Sequence, residues 1–223
     1  MKKWTSIDQA LTPDGKTISL DEHDGSYTIR VDGAALMSTR QHGSEEKLAE
    51  LACAHVQGVS GARVLIGGLG FGFTLQAALA ALVPDAAVVV AEILTAVIRW
   101  NRDPAFHLAA DAMADPRVIV LEKDVLEVMR GERGGFDSII MDVDNGPMAL
   151  STEGNGRLYD ERGLKLLRAA LRPGGVAAFW SAAPDTEFER RLIRAGFVVD
   201  VHHCRSRASS GGRRHIIFLG RLE

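Results

Sequence analysis

From Arg63 to Leu219, short continuous apolar runs alternate with stretches of helical spacing, and no other feature limits the fold as strongly. Val64–Gly67 reads as a strand and Thr74–Leu82 as a helix closed by Pro84. Ala87–Ala91 is the next strand, followed by a helix through Ile98 and Trp100. The strand Val118–Leu121, the short helix Asp124–Met129, the strand Phe136–Met141 and the helix Asp160–Leu171 continue the pattern. Gly174-Gly175 leads into the strand Val176–Trp180 and the helix Thr186–Ala195, and the strands Val198–His202 and His215–Leu219 close the chain. Because the apolar runs are continuous, they fit parallel strands covered by helices on both faces. Right-handed crossovers wind such units into an open α/β sheet, here a doubly wound, mostly parallel, seven-stranded one. Ligands of such sheets gather at the carboxyl ends of the strands.

Residues 1–42 follow another pattern. Thr17–Leu20, Tyr27–Val31 and Ala35–Ser38 are short apolar or alternating runs separated by Asp24-Gly25 and Asp32-Gly33. Asp-Gly between such runs marks a hairpin turn, because glycine takes the positive φ the turn requires. The expected division is a small antiparallel β meander over 1–42 and an α/β domain over 43–223. Ser44-Glu45-Glu46 opens a helix through about Val56, with acids in the first turn and Leu48, Leu51, Ala52 and His55 at helical spacing.

With 223 residues, 46% hydrophobic and 25% charged, the chain can bury a full core. Apolar runs such as Ala77–Val83 are far short of the ~20 residues of a spanning helix, so no membrane partner is expected. Thr5, Ser6, Asp8 and Gln9 follow Met1-Lys2-Lys3 where a secretory leader needs an apolar stretch. The expected compartment is the cytoplasm, with Cys53 and Cys204 as reduced thiols. The net charge of −3 hides a split, because Arg190–Arg221 holds eight Arg against the single acid Asp200. Arg205, Arg207, Arg213 and Arg214 flank Ala208-Ser209-Ser210-Gly211-Gly212, which reads as a flexible hairpin tip. No aromatics interleave with these arginines, so base stacking has little support and nucleic acid is not the expected partner.

Ile66-Gly67-Gly68-Leu69-Gly70-Phe71-Gly72 lies between the first strand of the α/β domain and the helix after it. Glycines there let the backbone approach a ligand closely, and the helix start offers free N–H groups. Taken alone, the same residues also suit a tight turn. Glu92 ends the second strand, 22 residues after Gly70, where an acid can accept hydrogen bonds from ribose hydroxyls. The competing role for it is a surface acid at a strand end. Asp124, just beyond the third strand, can cap the short helix, bind a ligand, or do both. A dinucleotide fits less well, because a GxGxxG match puts Phe73 or Leu75 at the third glycine position.

Leu65-Ile66-Gly67-Gly68-Leu69-Gly70, Glu92, Asp124, and Asp142 after Phe136-Asp137-Ser138-Ile139-Ile140-Met141 together resemble the S-adenosylmethionine-dependent methyltransferases. Within that superfamily and its Rossmann-like sheet, the chain is most similar to the spermidine synthase group, which also has a small amino-terminal β meander. Val31-Asp32-Gly33 resembles the Leu-Asp-Gly where that meander hands over to the catalytic domain. The resemblance covers residues 60–182 well and 17–58 loosely. It implies S-adenosylmethionine, or its decarboxylated form, as cofactor. Gly68 and Gly70, with Gly67 beside them, would lie against its methionine part, Glu92 on the ribose, and Asp124 and Val125 at the adenine.

Polyamine synthases carry a DxxDP-type motif after the fourth strand, whose first Asp deprotonates the attacking amine and whose second anchors the diamine. The corresponding stretch here is Asp142-Val143-Asp144-Asn145-Gly146-Pro147, so Asp142 matches the first acid and Asn145 replaces the second, with Asp144 adjacent. By simple counting, Glu45-Glu46-Lys47 stands where the group carries a Tyr-His-Glu cluster. An unpaired buried cation is costly, so a diammonium substrate needs those acids. The first expectation is therefore methyl transfer from S-adenosylmethionine to an unidentified small-molecule acceptor. The alternatives are aminopropyl transfer from the decarboxylated cofactor, or a nucleoside-binding protein without catalysis.

Asp142 can remove a proton in either transfer, or cap the loop structurally. Asp144, Asn145 and Tyr159 are candidate acceptor contacts, because the loop from Asp144 to Tyr159 is long for a βα connection. Tyr159 also suits packing at a helix start, and Trp180 suits the core better than a substrate platform. His202-His203-Cys204 is no metal site, since adjacent strand residues point to opposite faces. The meander offers a surface for a homodimer contact.

Overall fold

Two sheets organise the chain in the computed structural model, which describes residues 3–143, 155–206 and 212–223. The first is an antiparallel meander in sequence order, β1 (Thr5–Leu11), β2 (Thr17–His23), β3 (Ser26–Val31) and β4 (Ala34–Ser38). Its two Asp-Gly turns are built with paired positive φ, 53° and 71° at Asp24-Gly25 and 47° and 80° at Asp32-Gly33. This backbone twist matches that of the flanking strands.

β1 has no counterpart in the apolar pattern, and every residue in it is exposed or half-buried. Pairing with β2, the packing of Ala10 against the core and a hydrogen-bonded anchor at Asp8 hold it in place. The Asp8 carboxylate accepts a hydrogen bond from Trp100 Nε1 at 2.7 Å and another from Arg99.

After the meander comes α1 (Gly43–Cys53), extended by a turn of 3₁₀-helix to Val56. Ser44 does not cap it, because its hydroxyl donates instead to Glu45 Oε2 at 2.5 Å. The α/β region then runs β5 (Arg63–Gly67), α2 (Phe73–Ala81), β6 (Ala87–Glu92), α3 (Thr95–Arg102), α4 (Ala110–Met113), β7 (Val118–Glu122), α5 (Val125–Arg130) and β8 (Phe136–Met141). It finishes with α6 (Glu161–Ala170), β9 (Leu171–Ser181), α7 (Thr186–Arg194), β10 (Phe197–Arg205) and β11 (Arg214–Leu222).

The large sheet has the strand order β10-β11-β9-β8-β5-β6-β7. β5 through β9 pair in parallel, while β11 is antiparallel to both β9 and β10. The architecture is the expected doubly wound, mostly parallel, seven-stranded α/β sheet with a separate antiparallel meander. Successive strand residues feed opposite core layers. Val64 and Ile66 pack with Leu48, Leu75 and Trp100 on one face. Leu65 packs on the other with Met129, Leu164 and Phe188. With helices on both faces, each residue of an inner strand meets apolar side chains, which explains the unbroken apolar runs.

Candidate functional site

β5 and β8 lie side by side at the centre of the large sheet, and the winding reverses between them. β6 and β7 continue on one side, and β9, β11 and β10 on the other. Loops leaving β5 and β8 therefore part company, and a crevice opens at the carboxyl ends of the strands. It is lined by Gly68, Gly70, Glu92, Asp124, Val125 and Asp142. The meander covers it with Ile18, Ile29, Leu36 and Met37.

Gly68 sits at φ +88°, and a Cβ there would fall 2.3 Å from the carbonyl oxygen of Asp142. Only glycine lets the β5 loop pass so close to the end of β8. Gly67 is not among the residues lining the cleft. It ends β5, where a Cβ would lie 3.1 Å from Val125.

Glu92 is 6% exposed and so is no surface acid. Its Oε2 accepts the Leu69 N–H and its Oε1 the Leu94 N–H, both at 2.8 Å. One carboxylate thereby ties the glycine loop to the turn after β6. Asp124 caps α5, accepting the Leu126 N–H at 2.7 Å, and lines the cleft from the same position. Cap and cleft positions coincide in one side chain.

Asp142 lies one residue beyond β8 and donates its N–H to Gly67 O at 2.9 Å. Its Oδ2 accepts the Thr74 hydroxyl at 2.5 Å. Burial pushes the Asp142 carboxyl up to about 7, helped by the nearby charge of Glu45, while the Thr74 hydrogen bond opposes both. Burial also raises the Glu45 carboxyl. Sequence reasoning missed the part played here by Thr74 and Glu45. Thr74 counted only as a helix start, although the first turn after a glycine loop is where a hydroxyl could reach the cleft. Glu45 counted as a first-turn acid and a poor match to the Tyr-His-Glu cluster.

β8 and β9 pair Met141 with Phe179, which puts Asp142 beside Trp180. Trp180 is half-buried, packs on the core face beneath α1, and has the His215 ring at 4.7 Å. Tyr159 is 1% exposed, not a lining residue, with its ring against Phe179 and Phe188 and its hydroxyl donating to Val143 O at 3.3 Å. Asp144 and Asn145 lie outside the described residues, as do Arg207 and the hairpin tip up to Gly211. Arg205 and Arg214 pair across β10 and β11 and are exposed.

Charge is unevenly spread along the cleft. Lys123 lines it beside Asp124, at the end of β7. That strand is three places from β8 in the sheet, or about 14 Å at ordinary strand spacing. No Lys or Arg lines the Asp142 end among the described residues. Among those residues, no group of three or more His, Cys, Asp or Glu side chains could hold a metal ion, and no helix is long and apolar enough to cross a membrane.

No protein-family model matches the chain, and no curated protein sequence matches it. Its fold does match solved structures. A spermidine synthase in complex with the transition state analogue AdoDATO matches with a TM-score of 0.80 at 21% identity, over 98% of this chain and 74% of that one. Spermidine synthase from Thermotoga maritima matches at 0.77 and 20% identity, over 98% and 73% of the two chains. A Corynebacterium glutamicum protein described as a probable spermidine synthase matches at 0.65 and 16% identity, over 97% and 79%. The chain and these proteins share a fold, meander included.

Proposed function

We propose that the chain is an aminopropyltransferase of the polyamine-synthase type, moving an aminopropyl group from decarboxylated S-adenosylmethionine to an amine. The observation that carries this reading is the acidic inner end of the cleft, with Asp142 on its wall and Glu45 behind. It reverses the order of the sequence expectation, which put methyl transfer from S-adenosylmethionine first. With its methionine part against Gly68 and Gly70, S-adenosylmethionine would bring a carboxylate towards Asp142. Among the described residues the one lysine lining the cleft, Lys123, follows β7, three strands from β8. A decarboxylated cofactor brings no such anion. The shared fold with spermidine synthases supports the same choice.

The chemistry is a displacement at the carbon beside the sulfonium. The amine nitrogen forms the new C–N bond, the C–S bond breaks, and its electron pair stays on sulfur as a neutral thioether. The positive charge passes to nitrogen. Asp142 takes one proton from the acceptor's ammonium before attack and releases it to water afterwards. An alkylammonium holds its proton up to about pH 10, far above an ordinary carboxylate. Raising Asp142 to about 7 narrows that gap and makes it the better base. Glu92 lines the cleft where the ribose hydroxyls would lie, and it would meet them with the carboxylate that also holds the glycine loop. Asp124 and Val125 would border the base.

Calorimetry and turnover test the reading together. Decarboxylated S-adenosylmethionine should bind more tightly than S-adenosylmethionine, and with putrescine it should yield methylthioadenosine. Asp142→Asn should abolish that product. Tighter binding of S-adenosylmethionine, with methyl transfer to any acceptor, would overturn it.

A further inference from the structure

We propose that Asn101 is a positioning residue for the cofactor, fixing the Gly70 peptide on the cleft wall so that the alkyl chain beyond the sulfur, and not the nucleoside, depends on it. The inference rests on the cofactor placement above and names the part of the cofactor that this side chain serves. Asn101 lies in the last turn of α3, one turn beyond Val97, which lines the cleft. It is 0% exposed, a depth of burial unusual for an amide side chain.

Its Nδ2 donates to Gly70 O at 2.7 Å and to Val97 O at 2.9 Å. Both partners are carbonyl oxygens, so the amide nitrogen and not its oxygen must face them. Oδ1 is left buried, with no hydrogen-bond partner among the described residues. A buried acceptor without a donor is costly, and an apolar side chain of similar size would avoid that cost. What asparagine adds at this position is a donor aimed at the glycine loop.

Gly70 sits at φ +53° and has no side chain of its own to hold that conformation. Its neighbours hold it instead. Glu92 Oε2 takes the Leu69 N–H at 2.8 Å, Asn101 takes the Gly70 carbonyl, and the Gly72 N–H closes the turn on Leu69 O at 2.7 Å. From the meander, Met37 comes so near that a Cβ on Gly70 would lie 2.8 Å from its sulfur. Because the peptide unit is planar, a fixed Gly70 carbonyl also fixes the N–H of Phe71. A wall ordered before the ligand arrives spares binding the cost of ordering it. Without Asn101 the Leu69 end of the loop keeps its tie to Glu92, so the ribose side of the site is spared and the Gly70 wall is released.

Calorimetry with decarboxylated S-adenosylmethionine and with methylthioadenosine, which lacks the aminopropyl chain, tests the inference. Asn101→Leu should weaken the first about tenfold and the second less than about twofold. Urea stability should move little, since leucine removes the unpaired Oδ1 while leaving Gly70 O without its donor. Asn101→Ala asks for no extra room, should give the same split, and decides the matter if the leucine variant does not fold. Equal losses for the two ligands would mean that Asn101 only supports the fold, and would overturn the assignment. So would unchanged affinity for both. If the wild type prefers S-adenosylmethionine to its decarboxylated form, the aminopropyl reading fails. The same comparison made with S-adenosylmethionine then tests Asn101, because that cofactor carries its chain on the same sulfur. A wild type that binds methylthioadenosine but neither sulfonium would overturn the cofactor placement and, with it, this inference.

Discussion

The hydroxyl of Thr74 donates to the carboxylate of Asp142 at 2.5 Å, joining the first turn of α2 to the residue that follows β8. Thr74 is 2% exposed, so its hydroxyl works in a place with little competing water. The glycine loop thus does more than make room for a ligand. The helix it launches also orients the acid on the neighbouring strand.

Replacing Thr74 with Val keeps the side-chain shape and removes the donor. Since the hydrogen bond favours the charged carboxylate, Asp142 should hold its proton to a pH above about 7 in this variant. The acid limb of kcat/KM should move to higher pH, with a stability change of about 1 kcal/mol. A pH–rate profile checks this. An acid limb that stays where it is would remove Thr74 from the site.

Asp142 also ties stability to pH. Its carboxyl is raised from 3.8 to about 7 in the folded chain, so the native state binds this proton more tightly than the unfolded state. The stabilisation is fully present below 3.8 and is lost as pH rises through about 7. Asp142→Asn should therefore be more stable than wild type at about pH 8, on the order of 1–3 kcal/mol, with the difference closing towards about pH 4. Melting temperatures of the two proteins across that range measure it. An Asn variant that is less stable at alkaline pH would contradict the raised carboxyl.

Glu92 serves the fold and the ligand together. Glu92→Ala leaves the N–H groups of Leu69 and Leu94 without their carboxylate partner. Stability should fall by about 2 kcal/mol and methylthioadenosine affinity by about 1–3 kcal/mol. Urea unfolding and calorimetry report these separately. Unchanged affinity would take Glu92 out of the nucleoside site.

Gly68→Ala is a harsher change. The added methyl would meet the Asp142 carbonyl oxygen at 2.3 Å, at a φ of +88° that L residues rarely adopt. The strain should cost about 1–3 kcal/mol or more and should displace Asp142, so turnover should fall together with stability. A variant of wild-type stability and activity would show that the loop and β8 are not in close contact.

Much of this arrangement is written locally in the sequence. Helix and strand periods, the Asp-Gly turns and the glycine loop depend on residues a few positions apart, and the elements they predict are present, although β9 begins at Leu171 and takes in Gly174-Gly175, ahead of the expected start at Val176. The acids at strand ends, Glu92, Asp124 and Asp142, are legible in the same way. β1 is not legible, because its place depends on pairing with β2 and on Asp8 reaching Trp100, 92 positions away.

The sequence by itself determined an alternating α/β chain with a meander in front, a glycine loop after the first strand of its large sheet, and acids at the following strand ends. Only the tertiary structure decided which of these groups meet. Strand order sets β8 beside β5, and Gly68 lets Asp142 approach the loop. The packing of α1 against α2 sets Thr74 between the main-chain carbonyl of Glu45 and the carboxylate of Asp142. The physical reason is that periodicity and turn geometry are short-range, whereas desolvation and charge coupling depend on neighbours far away in the chain. The basicity of Asp142 is therefore a property of the fold and not of its motif.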